Sequence, residues 1–486
     1  MNILFCTPVN IYSNLLETEL ELMQRHLDAG DTVHVLLCRT DLPVCEINEK
    51  HSRIQCLYCT QKHLRSLRLL NGKAIVHYLR EYWPEPGHEQ PKTYFNNIEE
   101  LKKYRWDEYF DIGYGMGSYL ISEMRDPHLD IGPHRQTIER FMNMSLKLYF
   151  AVQHFLTANK MDRVYVWNGR QPSMRPVIRA AKSRGVDFYT FNNAHTDKHV
   201  ETFENALLHD LGYMSSKIVS HWNNSTEPEE IKIKKATAFY EKRTNTTNDA
   251  DEDNLYTKNR FASGMQHGQL PEHWDASKIN IAIFNSSEDE MASISDEWIN
   301  PLYAGQYEGI SRLIQDTDND PAFAGYHFYL RMHPNLADVN NEDVRRIKAL
   351  TGKRFTLLLP ESSVSTYTLI NESAAVVSYG SSAGIEAVYR NKPSILLGKC
   401  FYRAFNDTTY QPASHEAFIE LLKQQPLPPK GKTGAYMYGY FWTTYGTPMK
   451  YASKENGQWL FRGKKAASHP LLELMKKIKQ KNKNRS

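Results

Sequence analysis

Residues 326–334 read YHFYLRMHP, and residues 357–398 read LLLPESSVSTYTLINESAAVVSYGSSAGIEAVYRNKPSILLG. Two short apolar runs in these segments, Tyr326–Leu330 and Ala374–Ser378, predict buried β-strands. A helical pattern follows the second run and starts near Ser382. Strands that alternate with helices are typical of an α/β domain with a parallel sheet.

Polar side chains follow the first predicted strand. Arg331 and His333 lie two residues apart, so they share one side of an extended chain. Pro334 fixes the turn and favours an extended backbone at His333. An arginine and a histidine at one strand end are suited to hold a phosphate.

Small residues follow the second predicted strand. Tyr379, Gly380, Ser381 and Ser382 lead into the helix, whose first N–H groups and positive dipole end favour an anion. Glu386 lies one helical turn beyond Ser382, where it can accept a ribose hydroxyl. The alternative is a tight turn with a capped helix and Glu386 on the surface.

Two further strand ends carry candidate ligand-binding groups. Ser286 and Ser287 follow the apolar run 279–284 and are expected to contact the same nucleotide, although Ser287 with Glu290 also fits a capping box. Asn168 and Arg170 follow another strand and are expected to face the cleft.

A reaction at these groups needs a general base, and no pattern singles one out. Asp111 lies in a glycine-rich turn, and Glu17 and His195 are its rivals. His333 is the fourth candidate catalytic residue.

The chain divides into two α/β halves joined by a polar stretch. We expect a Rossmann-like domain over 1–222, a polar connection over 223–278 and a second Rossmann-like domain over 279–450. A C-terminal helix and basic tail are expected over 451–486. The predicted fold is α/β, with two Rossmann-like domains that face a cleft.

Composition excludes several classes of protein. The 486 residues are 41% hydrophobic and 24% charged, and the formal net charge of +3 is too low to favour nucleic-acid binding. The sequence shows no signal peptide and no run of 18 apolar residues, so we expect a cytoplasmic protein. The lysines after residue 475 would allow weak attachment to the inner face of a membrane.

Metal sites have weak support in the sequence. Cys38, Cys45, Cys56 and Cys59 are either free thiols or a structural zinc site. The Asp-x-Asp strings at 249–251 and 316–320 lie in polar stretches and are interpreted as solvated turns. We therefore expect a reaction that requires no metal and no cofactor.

These motifs together resemble a known family. The chain is similar to bacterial capsule and surface-polysaccharide glycosyltransferases of the GT-B fold, with a likeness to Kdo transferases and sialyltransferases that use CMP-sugars. The resemblance rests on the following segments: Arg331-x-His333-Pro334, Ser378-Tyr379-Gly380-Ser381-Ser382-x-Gly384-x-Glu386-Ala387, Lys392-Pro393-x-Ile395-x-x-Gly398, Val166-Trp167-Asn168-Gly169-Arg170, Asn285-Ser286-Ser287-x-Asp289-Glu290 and Tyr436–Gly446. It implies that His333, Ser381 and Ser382 contact the donor phosphate. It also implies that the domain over 279–450, with Ser286 and Ser287, binds the nucleotide sugar, and that the domain over 1–222 binds the acceptor, which Asn168 and Arg170 would face.

The expected function is transfer of a sugar from a nucleotide-sugar donor to a growing capsule or lipopolysaccharide glycan, with inversion. The acceptor would be a glycan or lipid-linked glycan. Alternatives of the same fold are a CDP-polyol phosphotransferase and a nucleotide-sugar 2-epimerase. A non-catalytic glycan-binding protein is the alternative of another class.

Overall fold

The structure is a computed structural model that describes residues 1–9, 15–85, 87, 89–193, 198–245 and 268–466. The chain forms two compact units. The first contains residues 1–209 together with the described residues from 446 onward, and the second contains Asp210–Tyr445.

The described residues form α-helices and shorter 3-10 helices. The α-helices are α1 Leu15–Asp28, α2 Arg53–Ser66, α3 Ile98–Lys103, α4 Ile112–Met124, α5 Arg135–Ala158, α6 Arg175–Ser183, α7 Leu211–Asn224, α8 Glu229–Asn245, α9 Gln306–Asn319, α10 Glu342–Lys348, α11 Thr366–Glu372, α12 Ala383–Tyr389, α13 His415–Lys423 and α14 Thr433–Thr444. The 3-10 helices are Leu67–Leu69, Leu79–Tyr82, Gly132–His134, Glu288–Glu290, Asp296–Trp298, Pro321–Phe323, Pro334–Leu336 and Phe401–Ala404.

The strands form two large sheets and one hairpin. They are β1 Asn2–Phe5, β2 Thr32–Leu37, β3 Ile75–Tyr78, β4 Arg163–Trp167, β5 Asp187–Asn193, β6 His199–Glu204, β7 Ile279–Phe284, β8 Tyr326–Arg331, β9 Phe355–Leu358, β10 Ala375–Ser378, β11 Ser394–Leu396, β12 Thr447–Pro448, β13 Ala452–Glu455 and β14 Gln458–Phe461.

The first unit is built on a seven-stranded sheet in the order β12-β6-β5-β4-β1-β2-β3. Strands β1 to β5 pair in parallel, and β6 and β12 join one edge in antiparallel pairs. Helix α1 covers the sheet with Leu16, Leu20 and Met23, which are buried. Glu21 on the same helix accepts backbone N–H bonds from Lys450, Tyr451 and Ala452, which holds the closing segment in this unit.

The second unit is built on a five-stranded parallel sheet in the order β11-β10-β7-β8-β9. After β7 the chain adds β8 and β9 on one side, and it then adds β10 and β11 on the other. The order of strands therefore reverses between β7 and β10, and ligands bind at the carboxyl ends of strands at such a switch point. The predicted α/β class with two Rossmann-like sheets is confirmed.

The boundaries of the two units differ from those of the segments expected over 1–222, 223–278 and 279–450. Helix α8 falls in the stretch expected to be a polar connection, yet it packs against α14 through buried Ala236 and Tyr240. The exposed face of this helix is highly charged, and its charged residues obscure the helical spacing of the buried apolar residues in the sequence. The strands from 447 to 461 return to the first unit, and the expected C-terminal helix and tail beyond 466 lie outside the described residues. None of the described helices has both the length and the apolarity needed to cross a membrane.

Candidate functional site

Hydrogen bonds join the ends of β7 and β10. The hydroxyl of Ser286 donates to the backbone carbonyl of Tyr379 over 3.2 Å. Gln306, the first residue of α9, donates its side-chain N–H to the same hydroxyl over 2.8 Å and accepts the N–H of Ser286 over 2.8 Å. Two strand ends and one helix start therefore meet at Ser286.

The turn after β10 has a fixed backbone. Gly380 has a φ of +97°, and a Cβ atom there would lie 2.5 Å from the carbonyl oxygen of Lys399. The carbonyl of Ser381 accepts hydrogen bonds from the hydroxyls of Tyr402, over 2.5 Å, and Ser378, over 3.1 Å. Glycine is thus required at 380 by both its conformation and its neighbour.

Arg331 ends β8 and is 3% exposed. One guanidinium N–H donates to the carbonyl of Leu359 over 3.1 Å, while Nε has no partner among the described residues. Burial lowers the pKa of Arg331 to about 10, against the opposing effect of Glu361. A buried guanidinium with an unsatisfied N–H is a group that gains from binding an anion.

His333 is held by its backbone and its ring. Its N–H donates to the side-chain oxygen of Asn285, the residue after β7, over 2.7 Å. Its Nδ1 accepts the N–H of Asn335 over 3.2 Å. A neutral ring that accepts at Nδ1 carries its proton on Nε2, so Nε2 is a hydrogen-bond donor. Arg331 is directed toward the residues after β9, whereas His333 is tied to the end of β7.

Ser382 and Glu386 contact each other and an arginine. The Ser382 hydroxyl donates to Glu386 Oε1 over 3.0 Å. Arg243 on α8 lies 3.0 Å from the same carboxylate and 3.2 Å from the Ser382 hydroxyl. Glu386 is buried, and Tyr367 also interacts with it. The alternative that placed Glu386 on the surface is therefore wrong, and its ribose-binding role stays a prediction.

Ser287 and Glu288 lie beside this network. The Ser287 hydroxyl is buried and has no partner among the described residues, so the capping box expected as an alternative is absent. Glu288 accepts the N–H of Gln306 over 3.1 Å. Burial raises the pKa of Glu288 to about 7. The sequence interpretation missed Glu288, and the signal available was its place directly after two serines at a strand end.

The structure gives Asp111 a structural role. Both of its carboxylate oxygens accept hydrogen bonds from Arg175 and from Arg179, at 2.5–2.9 Å. Burial acts to raise the pKa of Asp111, but Arg175 and then Arg179 outweigh it and hold the pKa well below its ordinary value. A carboxylate that already accepts four hydrogen bonds is a poor proton acceptor, which argues against Asp111 as the base.

Glu17 has the opposite environment. It lies in the first turn of α1 and is 2% exposed, and its Oε2 has no partner among the described residues. Burial raises the pKa of Glu17 to about 7, against the opposing charge of Lys62. A carboxylate with this proton affinity can take a proton near neutral pH. The rival base His195 lies outside the described residues.

Asn168 and Arg170 lie at the carboxyl end of β4, as expected for residues that contact a ligand of the first unit. Asn168 and Gly169 both have positive φ angles, of 57° and 81°. A Cβ at Gly169 would lie 2.6 Å from Leu207, so the turn is tightly packed. Arg170 donates to the hydroxyl of Ser122 over 2.9 Å.

The cysteines and the second acidic string show no metal site. All six cysteines are free thiols, and the described residues contain no group of three or more histidine, cysteine or acidic side chains arranged to hold a metal. Asp316 and Asp318 lie in the last turns of α9 rather than in a solvated turn, and Asp316 contacts His415 over 2.8 Å. The acidic string at 249–251 lies outside the described residues.

No family model matches this chain, and no curated protein matches it in sequence. Solved structures give likenesses of fold. The KpsC β-Kdo 2,4 transferase of Thermosulfurimonas dismutans is 10% identical, with a TM-score of 0.37 over 57% of this chain and 79% of that one. The KpsC β-Kdo 2,7 transferase of the same organism is 13% identical, with a TM-score of 0.36 over 68% and 89%.

An epimerase is also among the similar structures. The UDP-GlcNAc 2-epimerase of Neisseria meningitidis is 12% identical, with a TM-score of 0.27 over 90% of this chain and 98% of that one. The neighbours thus include the Kdo transferases that the sequence resemblance names. All three TM-scores lie below 0.5, and the proposed function rests on the site residues alone.

Proposed function

We propose that this chain is a glycosyltransferase that moves a sugar from a nucleotide-sugar donor to a growing surface glycan. The observation that carries the proposal is the meeting of three polar strand ends at the switch point of the second unit. Ser286 follows β7, His333 follows β8 and the turn 379–382 follows β10. Because these strands are adjacent and parallel, their carboxyl ends lie along one edge of the sheet.

These groups have the chemistry to hold a nucleotide phosphate. Arg331 supplies a buried positive charge, and His333 Nε2 and the serine hydroxyls supply hydrogen-bond donors. In the reaction, the bond between the anomeric carbon and the donor phosphate breaks, and negative charge accumulates on the leaving phosphate. Fixed donors at that point stabilise the transition state, and we propose that they do so without a metal ion.

The acceptor must lose a proton as its oxygen forms the new glycosidic bond. We propose Glu17 as the base that takes this proton, because its pKa of about 7 suits the task. One displacement of this kind inverts the anomeric centre. The acceptor is proposed to be a glycan or lipid-linked glycan at the inner face of a membrane.

A second candidate function is a nucleotide-sugar 2-epimerase, and Glu288 favours it. An epimerase needs an acid or base beside the bound sugar and no glycan acceptor. Glu288 has a pKa of about 7 and contacts Gln306, which in turn binds Ser286. A titrating carboxyl group therefore lies in the same unit as the proposed phosphate site.

Product analysis separates these functions. The full chain is incubated with UDP-, GDP-, dTDP- and CMP-sugars and with a CDP-polyol, each with and without glycan acceptors, and the products are identified by mass spectrometry and NMR. A transferase produces an extended acceptor and the free nucleotide. An epimerase produces an altered sugar without any acceptor, and a CDP-polyol phosphotransferase produces CMP and a polyol phosphate attached to the acceptor. No turnover of any donor would contradict an enzymatic function.

A further inference from the structure

Arg243 contacts the turn 379–382, the candidate phosphate-binding turn, from a helix outside the sheet. It lies near the end of α8, about one hundred and forty positions before Ser382 in the sequence. Its Nε donates to Glu386 Oε1 over 3.1 Å, and its Nη2 donates to the Ser382 hydroxyl over 3.2 Å. One guanidinium therefore contacts two of the side chains that the sequence assigned to the donor, Ser382 and Glu386.

The charges at this turn explain why an arginine is needed there. Glu386 is almost fully buried, and its Oε1 lies 3.0 Å from the Ser382 hydroxyl. An uncompensated carboxylate at that distance would repel a phosphate that approached Ser382. Burial acts to lower the pKa of Arg243, but the Glu386 carboxylate outweighs it and raises the pKa above its ordinary value, so Arg243 stays charged.

The Ser382 hydroxyl has one proton, and that proton is directed at Glu386. A phosphate at the turn can receive the proton only if Glu386 keeps another donor. Arg243 and the Tyr367 hydroxyl are both such donors, and Arg243 also supplies a positive charge beside Glu386 Oε1. Arg243 thus allows Ser382 to turn from the carboxylate to an incoming anion.

We propose that Arg243 is a charge-compensating and positioning residue of an anion site at Ser381 and Ser382, whose ligand is the phosphate of a nucleotide. The naming of a nucleotide rests on the proposed function, whereas the anion site does not. The rigid backbone at Gly380 and the two hydroxyls that hold the Ser381 carbonyl keep the site in place.

Arg390 offers a matched control. It also links α12 to α8, since its guanidinium donates to the Thr244 hydroxyl over 2.6 Å and to Asn371 over 3.2 Å. It carries the same charge and anchors the same helix. Within the described part of the chain, its guanidinium forms no hydrogen bond or ion pair with the side chains of Ser382 or Glu386. It lies over the ring of Tyr367, and its backbone N–H donates to the carbonyl of Glu386 within the helix, so the side chain serves as a control for helix anchoring.

The test is a double-mutant cycle on the full chain, with calorimetric titration of inorganic pyrophosphate and of UDP, GDP, dTDP, CMP and CDP. Arg243→Met should weaken binding about tenfold or more, and Arg243→Lys should restore part of the loss. Glu386→Gln combined with Arg243→Met should bind within about threefold of Glu386→Gln alone, because the repelling charge is gone. Arg390→Met should bind like the native chain.

Several results would overturn the inference. These are unchanged binding in Arg243→Met, equal losses in Arg243→Met and Arg390→Met, or a double variant as weak as Arg243→Met. If Arg243→Met fails to fold, the inference is tested with Arg243→Lys and with the double variant, because neither of them buries an unpaired charge. Binding of pyrophosphate that depends on Arg243, without nucleotide binding, would contradict the proposed function and support the inference. Nucleotide binding that does not depend on Arg243 would support the proposed function and contradict the inference about Arg243. If the native chain binds neither pyrophosphate nor any nucleotide, both the proposed function and the inference are wrong.

Discussion

The hydroxyl of Ser286 donates a hydrogen bond to the backbone carbonyl of Tyr379, which joins the ends of β7 and β10. These strands flank the point where the strand order of the sheet reverses. The bond therefore fixes the geometry of the edge at which a ligand is expected, and it ties together the two segments that carry the serine pairs.

Gly380→Ala should disrupt the turn after β10. The added Cβ would lie 2.5 Å from a backbone oxygen, so the turn has to move. We expect the melting temperature to fall and nucleotide affinity to fall about tenfold, because the protein groups proposed to bind the phosphate are displaced. Gly30→Ala is the control, since Gly30 has a φ of +81° but no atom within 4 Å of the added Cβ. It should bear only the left-handed strain of roughly 1–2 kcal/mol and keep nucleotide affinity. Native-like nucleotide binding by Gly380→Ala would count against the site.

His333→Ala should weaken nucleotide binding. The variant loses the Nε2 donor proposed to contact the phosphate, and a hydrogen bond to a charged group contributes about 1.5–3 kcal/mol, or roughly 10–100-fold in affinity. His327→Ala is the matched control, because His327 lies near the start of β8 and contacts Thr356 over 2.8 Å. The two variants are compared by calorimetric titration. Equal affinities for both would remove His333 from the proposed site.

Glu17 should make stability and activity depend on pH. Its folded pKa of about 7 lies above the ordinary value of 4.5, so the folded state binds the proton more tightly than the unfolded state. Stability should therefore fall as the pH rises from about 4.5 to 7, by an amount on the order of 2 kcal/mol. Glu17→Gln should reduce the pH dependence seen in denaturant unfolding curves by this amount, and the part that comes from Glu288, whose pKa is also about 7, should remain.

The same variant tests the proposed base. Transfer activity of the native chain should rise through pH 7 as Glu17 loses its proton, and Glu17→Gln should lose most of the activity while it keeps nucleotide binding. A variant that is fully active would show that another group takes the proton.

Asp111→Asn should destabilise the first unit without any specific effect on nucleotide binding. The change leaves Arg175, which is 1% exposed, without its buried counter-charge, and loss of one partner of a buried pair costs about 3–5 kcal/mol. The folded pKa of Asp111 lies below its ordinary value of 3.8, so the stabilisation is present above pH 4 and is lost only as the pH falls further. Glu342→Gln removes an exposed pair with Arg345 and should barely change the unfolding curve. A small effect of Asp111→Asn would contradict the structural role given to this residue.

Local patterns were sufficient to predict the strand ends that carry the site. Apolar runs such as Tyr326–Leu330, in which His327 is the one polar residue, form buried parallel strands, and the residues after them emerge at one edge of the sheet. The Arg331 and Ser382 positions follow from that rule. The same logic identified β7 before Ser286.

Long-range pairings were not predictable from local patterns. Arg243 meets Glu386 only because α8 packs on α14, and nothing near either residue indicates its partner. The glycines after Asp111 predicted a turn suited to a base, but they lie in helix α4, which begins directly after Asp111, and two arginines one helical turn apart on α6 neutralise the carboxylate. The pKa of Glu288 depends on burial, which the spacing of its neighbours does not encode.

The most direct test of the central claim is a thermal-shift titration of the full chain with UDP, GDP, dTDP, CMP and CDP in the presence of EDTA, with His333→Ala beside it. A ligand that binds only the folded state at one hundred times its Kd stabilises the chain by about 2.7 kcal/mol. We expect one nucleotide, or one pair of nucleotides that share a base, to raise the melting temperature, and we expect His333→Ala to reduce the shift. No shift with any of the five nucleotides would contradict the central claim.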